Sequence, residues 1–185
     1  MSVVENARNQ LVSRGSWSVD PAYSTIEFRV KYMMIQTVRG RFRDFEGAIV
    51  AGDEPSVSGS IRVASLETLN EERDAHLRSP DFFDAAQFPE LSFESTSIEA
   101  LDDEEFRITG RLTIHGVTND IVLHADYQGT DIDPYGNERV GLEVTGQLSR
   151  GDYDMKFNQA LGSGNVLVAD KVKLALDISA VKQSA

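Results

Sequence analysis

The sequence predicts an all-β protein, an antiparallel barrel of about eight strands with one short helical insertion near residues 70–79. Three observations carry that prediction. Apolar and polar residues alternate with period two in nearly every long run, as in strands with one dry and one wet face. The runs follow one another through short turn-forming segments, as sequential hairpins do. One stretch alone, NEERDAHLRSPDFFDAAQFPELSFES at residues 70–95, breaks the alternation and carries helix start and stop signals. Alternation excludes a doubly wound parallel sheet, whose strands are covered on both faces. A sandwich and a closed barrel remain, and sequential hairpins favour the up-and-down barrel.

Residues 1–15 read as a polar arm and residues 16–181 as a single domain. Trp17 and Val19 begin the first strand, and Asp20-Pro21 marks a turn. From Thr25 to Tyr32 the alternation is strict, with Ile26, Phe28, Val30 and Tyr32 on one face. Residues 33–38 interrupt the pattern. Extended structure resumes over 41–50, where Phe42 and Phe45 are out of step by one, the mark of a bulge or a change of face. Residues 51–55 turn the chain, and Val57, Gly59, Ile61 and Val63 form the next apolar stripe.

In the insertion, Asn70 is placed to cap a helix whose first turn carries Glu71 and Glu72, where the helix dipole favours anions. Arg78 suits the last turn, and Pro80 stops the helix near Ser79. Phe82, Phe83 and Phe88 follow within a short connection and need an apolar surface, so they are expected to cover one end of the barrel. A strand resumes at Leu91, then an acidic turn over 102–105. Phe106, Ile108, Gly110, Leu112 and Ile114 alternate next, and a loop over 116–120 leads to Ile121, Leu123, Ala125 and Tyr127. Val140, Leu142, Val144, Gly146 and Leu148 form another stripe after the turn at 131–137. Residues 150–169 read as a long loop, and Val172, Leu174, Leu176 and Ile178 close the chain.

Composition bounds function. The chain has 185 residues, 41% hydrophobic and 26% charged, which is ordinary for a globular domain, and no apolar run approaches a membrane span. A net charge of -12 argues against nucleic acid or an anionic membrane surface as the main partner. There are no cysteines, which removes disulfides and thiol chemistry. No secretory signal is read in the first 15 residues, so the expected location is the cytoplasm.

The ordered segments WSVDPAYSTIEFRVKY, RDAHLRSPDFFDAAQFPELSFEST and GRLTIHGVTNDIVL resemble the YceI-like family, the lipocalin-like polyisoprenoid-binding proteins, over roughly residues 16–181. The resemblance implies a lipocalin-like barrel that binds a long isoprenoid, such as a quinone or a polyprenyl phosphate, and it allows a homodimer. The family pattern usually has histidine where this chain has Tyr23 and Tyr32, so a phenol replaces a titratable imidazole if those positions meet a head group.

An eight-stranded barrel is either filled by side chains or holds one ligand. Gly59, Gly110, Gly146, Ala125 and Ser95 share the inward face and suggest room for a long apolar chain. The expected ligand-binding residues are Phe28, Val30, Phe42, Phe93, Leu112, Ile114, Leu123, Val144, Leu148 and Leu174, with Tyr32, Met33, Met34, Phe82 and Phe83 at the mouth. On that view Gly110→Phe would block the tunnel and leave the fold intact.

Other chemistry is thin. Arg29, Lys31, Arg39, Arg41 and Arg43 form a basic island that reads either as a phosphate site or as a solvated face, since the arginines have parity opposite to Phe42. His76, His115 and His124 lack metal-ligand spacing, so no metal or cofactor is expected. Arg73 and Asp74 read as structural ties to loop backbone or to Arg150 and Asp154. The serine in Ala-Leu-Gly-Ser-Gly-Asn at 160–165 reads as loop chemistry. The sequence therefore points to non-catalytic binding of an isoprenoid lipid. The rivals are an enzyme using the same cavity and a filled-barrel interaction protein.

Overall fold

A computed structural model describes residues 11–184. The described chain runs through β1 (Gly15–Val19), β2 (Thr25–Tyr32), β3 (Gln36–Phe42), β4 (Phe45–Ala51), β5 (Ser56–Arg62) and β6 (Leu66–Glu67) to the helix α1 (Glu71–Arg78). It continues through β7 (Glu90–Ala100), β8 (Glu105–Ile114), β9 (Val117–Ile132), β10 (Glu138–Ser149) and β11 (Val168–Lys182). No helix among the described residues is long and apolar enough to cross a membrane.

The sheet closes because β1 pairs with β4 on one side and with β11 on the other. The long strand β11 meets β2 over Val172 to Asp177 and β1 over Ala180 to Lys182, so β1 and β2 are halves of one stave. Likewise β3 and β4 form one stave, interrupted at Arg43 and Asp44. The third stave, β5 and β6, is broken by a 3₁₀ turn at Val63–Ser65. Counted this way the eleven strands make eight antiparallel staves, each paired with the next in sequence. This is the expected up-and-down barrel. The interruption at Arg43 and Asp44 lets both Phe42 and Phe45 turn inward, at 5% and 7% exposure, which explains their apparent slip.

Three local expectations change. The interruption read over 33–38 is a three-residue connection, 33–35, in which Met33 and Met34 have φ of 54° and 61° and Ile35 N–H donates to the Tyr32 carbonyl at 3.2 Å. Strand β3 then begins at Gln36, with Val38 opposite Val30. The loop read over 116–120 is only His115-Gly116, again with both φ positive, so residues 117–120 belong to β9. Within the 150–169 loop, a 3₁₀ turn at Arg150–Tyr153 and a bridge between Ala160 and Val166 give order, and β11 already starts at Val168.

Helix α1 forms as the sequence dictates. The Asn70 side chain accepts from Arg73 N–H at 3.0 Å, and the chain leaves the helix at Ser79. The core has three parts along the barrel: Trp17, Ile49, Val140 and Ala180 at one end, Ile108, Ala125 and Val144 in the middle, and a larger cluster around Phe28, Phe42, Leu66 and Leu91 under the helix.

Candidate functional site

The barrel has unlike ends. At one, where the chain turns after β4, β7 and β9, Trp17 packs with Ile49, Val140 and Ala180, is 1% exposed and donates its Nε1–H to the Ser13 carbonyl at 3.0 Å. Residues 1–10 of the expected arm lie outside the described residues, while Val12 packs against this end. At the other end stand the 33–35 hairpin tip, α1 with residues 79–89, and the 150–167 loop.

Under these connections lies an outer chamber of about 540 Å³, followed inward by an apolar chamber of about 190 Å³. Phe28, Phe42, Leu91, Ile114, Leu148 and Leu174 line both, so these six side chains form the neck between them. A third space of about 110 Å³, bounded by Ile49, Val57, Ile108 and Leu142, lies toward the closed end. The outer chamber alone is within the roughly 300–1,000 Å³ of small-molecule sites.

The structure places the thirteen candidate residues along this path. Phe28, Phe42, Ile114, Leu148 and Leu174 are in the neck. Val30, Tyr32, Phe82 and Phe83 line the outer chamber, and Phe93, Leu112, Leu123 and Val144 the inner one. Met33 and Met34 are carried outside by their turn, with Met34 48% exposed. Val38, Leu77, Met155, Phe157, Leu167 and Val172 also line the outer chamber. The sequence reading placed Val172 on an inward stripe without naming it as a ligand contact, and missed the other five because they fall in the interrupted stretch, on the polar helix or in the long loop, where no period-two stripe points to them.

Two of the inward glycines, Gly110 and Gly146, do not leave open space. A Cβ at Gly110 would lie 2.4 Å from Phe93 Cζ and 2.5 Å from the Glu94 carbonyl oxygen, and one at Gly146 would lie 2.6 Å from Leu123 Cδ2. Phe93 and Leu123 occupy the room those glycines provide. The expectation that Gly110→Phe spares the fold is therefore corrected: there is no space for the ring. The interior is nearly filled in its inner half and open in its outer half.

Aromatic side chains roof the outer chamber. Phe83 meets Phe28 and Phe42 edge-on, with centroids 6.4 and 5.9 Å apart, so the connection after α1 does cover the barrel end. His76, Phe82 and Phe157 form a second edge-to-face cluster at 4.9–5.2 Å. Arg150 clasps the long loop. It is 5% exposed and donates to the carbonyls of Met155, Ala169 and Val168 at 2.8, 2.9 and 3.1 Å. Burial pushes its pKa down, and burial likewise pushes the Tyr153 phenol up. The Asp170 carboxylate fixes the preceding turn by accepting from Ser149 and from Gly151 N–H, and the Ser149 bond lowers its pKa.

The helix ties are structural. Asp74 accepts from the backbone and hydroxyl of Thr68, and Arg73 donates to the Thr68 hydroxyl and carbonyl at 2.8 and 2.6 Å. Neither reaches Arg150 or Asp154; Asp154 pairs with Lys156. At the rim, Lys31, Tyr32 and Gln36 line the outer chamber without an ion-pair partner among the described residues. Tyr23 and Tyr32 do not share a site, because Tyr23 lies toward the closed end under the Arg139 guanidinium, 5.2 Å from its ring centroid.

Gly40 faces the Phe28 ring, so Arg39 and Arg41 point outward and the arginine island is a solvated face. His76 bonds Asp81 at 2.9 Å, His115 contacts the Tyr153 carbonyl at 3.2 Å, and His124 is exposed on β9. Among the described residues no three His, Asp or Glu side chains converge as metal ligands.

Comparison with known proteins places these features. The model of the YceI-like domain matches residues 17–180. A UPF0312 protein of Staphylococcus aureus strain N315 is 36% identical over 164 residues, covering 85% of this chain and 92% of the relative. Among solved structures, the Campylobacter jejuni YCEI protein aligns with a TM-score of 0.70 at 31% identity, over 83% of this chain and 90% of that one. A polyisoprenoid binding domain from Saccharophagus degradans shares the fold at 14% identity, with a TM-score of 0.70 over 90% of this chain and 98% of that one.

Proposed function

This chain belongs to the YceI-like family, and from that premise we propose that it binds a long isoprenoid lipid, prenyl chain inward and head group at the mouth. The observation that carries this reading is the divided apolar cavity, whose inner chamber is walled almost wholly by apolar atoms while Lys31, Tyr32 and Gln36 stand at its entrance. A prenyl chain suits such a wall because each methylene taken from water contributes about 0.8 kcal/mol and needs no hydrogen bond. The description of the Saccharophagus degradans neighbour as polyisoprenoid-binding supports the same ligand class.

The ligand is a polyprenyl phosphate or an isoprenoid quinone, with the phosphate or the quinone ring as head group. A phosphate takes Lys31 as its counter-ion, and a quinone oxygen takes the Tyr32 hydroxyl as donor. The chemistry asked of the protein is sequestration, for carriage, storage or protection, with the ligand released unchanged. Native mass spectrometry of protein purified from its own cells, followed by organic extraction, tests this reading. A stoichiometric prenyl lipid is the expected result. An empty protein that also refuses added polyprenyl lipids would overturn it in favour of a filled-barrel role, and a chemically altered lipid in favour of an enzyme.

A further inference from the structure

The outer surface beside the mouth has a character that the interior does not explain. At the tip of the β2–β3 hairpin, Met33, Met34 and Ile35 are 36%, 48% and 72% exposed. Both methionines hold positive φ, at 54° and 61°, a region that Gly and Asn occupy with the least strain. An apolar tip is thus held in a backbone conformation that disfavours methionine. Met33 N–H also donates to the Leu167 carbonyl at 2.8 Å, which sets the tip beside the exposed Val166 on the same rim.

Next to this tip the sheet turns a basic face outward. Arg29 and Lys31 on β2, Arg39 and Arg41 on β3, and Lys171 and Lys173 on β11 are all exposed. Arg29 stands directly opposite Arg39 on one side and Lys173 on the other, a placement in which like charges repel across the ladder. Among the described residues only Arg29 of these six has an ion-pair partner, Glu27 at 2.8 Å. Acids stand at both ends of the barrel: Asp53, Glu54, Asp103, Glu104 and Asp133 in the closed-end turns, and Glu71, Glu72, Asp81, Asp84, Asp152 and Asp154 in the connections around the mouth. The basic face is thus a local exception on a chain of net charge -12, bordered by Glu27 and Glu67 across the ladder from Arg41.

We propose that the β2–β3 tip and the basic face beside it dock the barrel, mouth first, onto an anionic lipid bilayer. The whole-chain charge does not forbid this, because at physiological salt a surface charge is felt over only about 8 Å. The hairpin tip and the basic face approach the bilayer, and the acids outside that face stay farther from it. The exposed methionines and isoleucine enter the interfacial layer, and the nearby cations meet lipid phosphates, as in other surface-bound proteins. Docked in this way, the mouth opens where a lipid enters or leaves. The inference concerns the outside of the barrel, so it fails or stands separately from the occupancy of the cavity.

Flotation of the full chain with vesicles tests it. The probes are vesicles of phosphatidylcholine alone and of phosphatidylcholine and phosphatidylglycerol at roughly 2:1. The expected result is binding to the anionic vesicles that weakens as salt rises, with little binding to the neutral ones. Met33→Asn with Met34→Gly should fold at least as stably, because the turn is relieved, yet bind about tenfold less or weaker. Arg39→Glu with Lys173→Glu, neither of which lines the cavity, should lose about tenfold or more, as expected for cations that each contribute several-fold. In Ile35→Trp the added fluorescence should shift to the blue on vesicle addition. Failure of the native chain to bind anionic vesicles, or undiminished binding by the folded Asn-Gly variant, would overturn the proposal. So would binding to a nucleic-acid duplex without binding to vesicles, which would assign the face to a different polyanion.

Discussion

Gly40 stands directly across the ladder from Phe28, and a Cβ at Gly40 would lie 2.2 Å from Phe28 Cζ. The absence of that one carbon lets the Phe28 ring lie flat against β3, where it meets Phe42 at 5.6 Å and forms one side of the neck. Gly40→Ala is expected to push the ring into the passage, at a stability cost of about 1–3 kcal/mol. Thermal unfolding and prenyl-lipid uptake check this together. A variant as stable and as competent as the native protein would contradict the neck geometry.

Gly110→Phe should fail to fold, because Phe93 and the Glu94 carbonyl already occupy the site. A blocked but folded barrel is expected instead from Leu148→Phe, at a neck position that borders open volume on both sides. Circular dichroism and lipid uptake measured on both variants separate these outcomes.

Arg150→Met should loosen the roof of the outer chamber. Its loss leaves the carbonyls of Met155, Val168 and Ala169 without their donor, a cost on the order of 3 kcal/mol. Limited proteolysis should then cut within residues 154–167, and Arg150→Lys should restore little, since one ammonium cannot reproduce the planar set of donors.

Acid sensitivity should trace to Arg139. Its guanidinium donates to Asp133 at 2.7 Å and to Asp20 at 2.9 Å, holding both carboxyls below the usual range. A carboxyl depressed in the folded state stabilises above its unfolded pKa of roughly 4, and the contribution is lost as pH falls below that. Arg139→Gln should therefore be less stable than the native chain at pH 7, with the gap closing on acidification below roughly pH 4. Glu105 acts oppositely: Asp102 and Asp126 raise its pKa, so protonating it on acidification relieves strain. Melting temperatures of both proteins across this range provide the check, and a constant gap would contradict it.

Much of the fold was legible because backbone periodicity and side-chain burial coincide. Phe28 and Phe42, on β2 and β3, announce their inward faces by alternation, and Asn70 announces the helix by its capping oxygen. The Met33-Met34 turn was not legible, since it uses residues that disfavour positive φ in place of Gly or Asn. Glycine on an inward face also misled. In sequence Gly110 looks like free volume, and only the cross-strand neighbour Phe93 shows that the volume is taken. Outer-chamber residues such as Leu77 and Phe157 were hidden for another reason, because helices and loops deliver single side chains to a cavity without leaving a stripe.

The most direct measurement is the affinity of the full chain for a ladder of prenyl phosphates that differ only in the number of isoprene units. A chain threading from the outer chamber through the neck should gain affinity with each added unit until the inner chamber is filled, and then level off. Leu148→Phe should move that plateau to shorter chains. Affinity independent of chain length in the native protein would contradict an isoprenoid held inside the barrel.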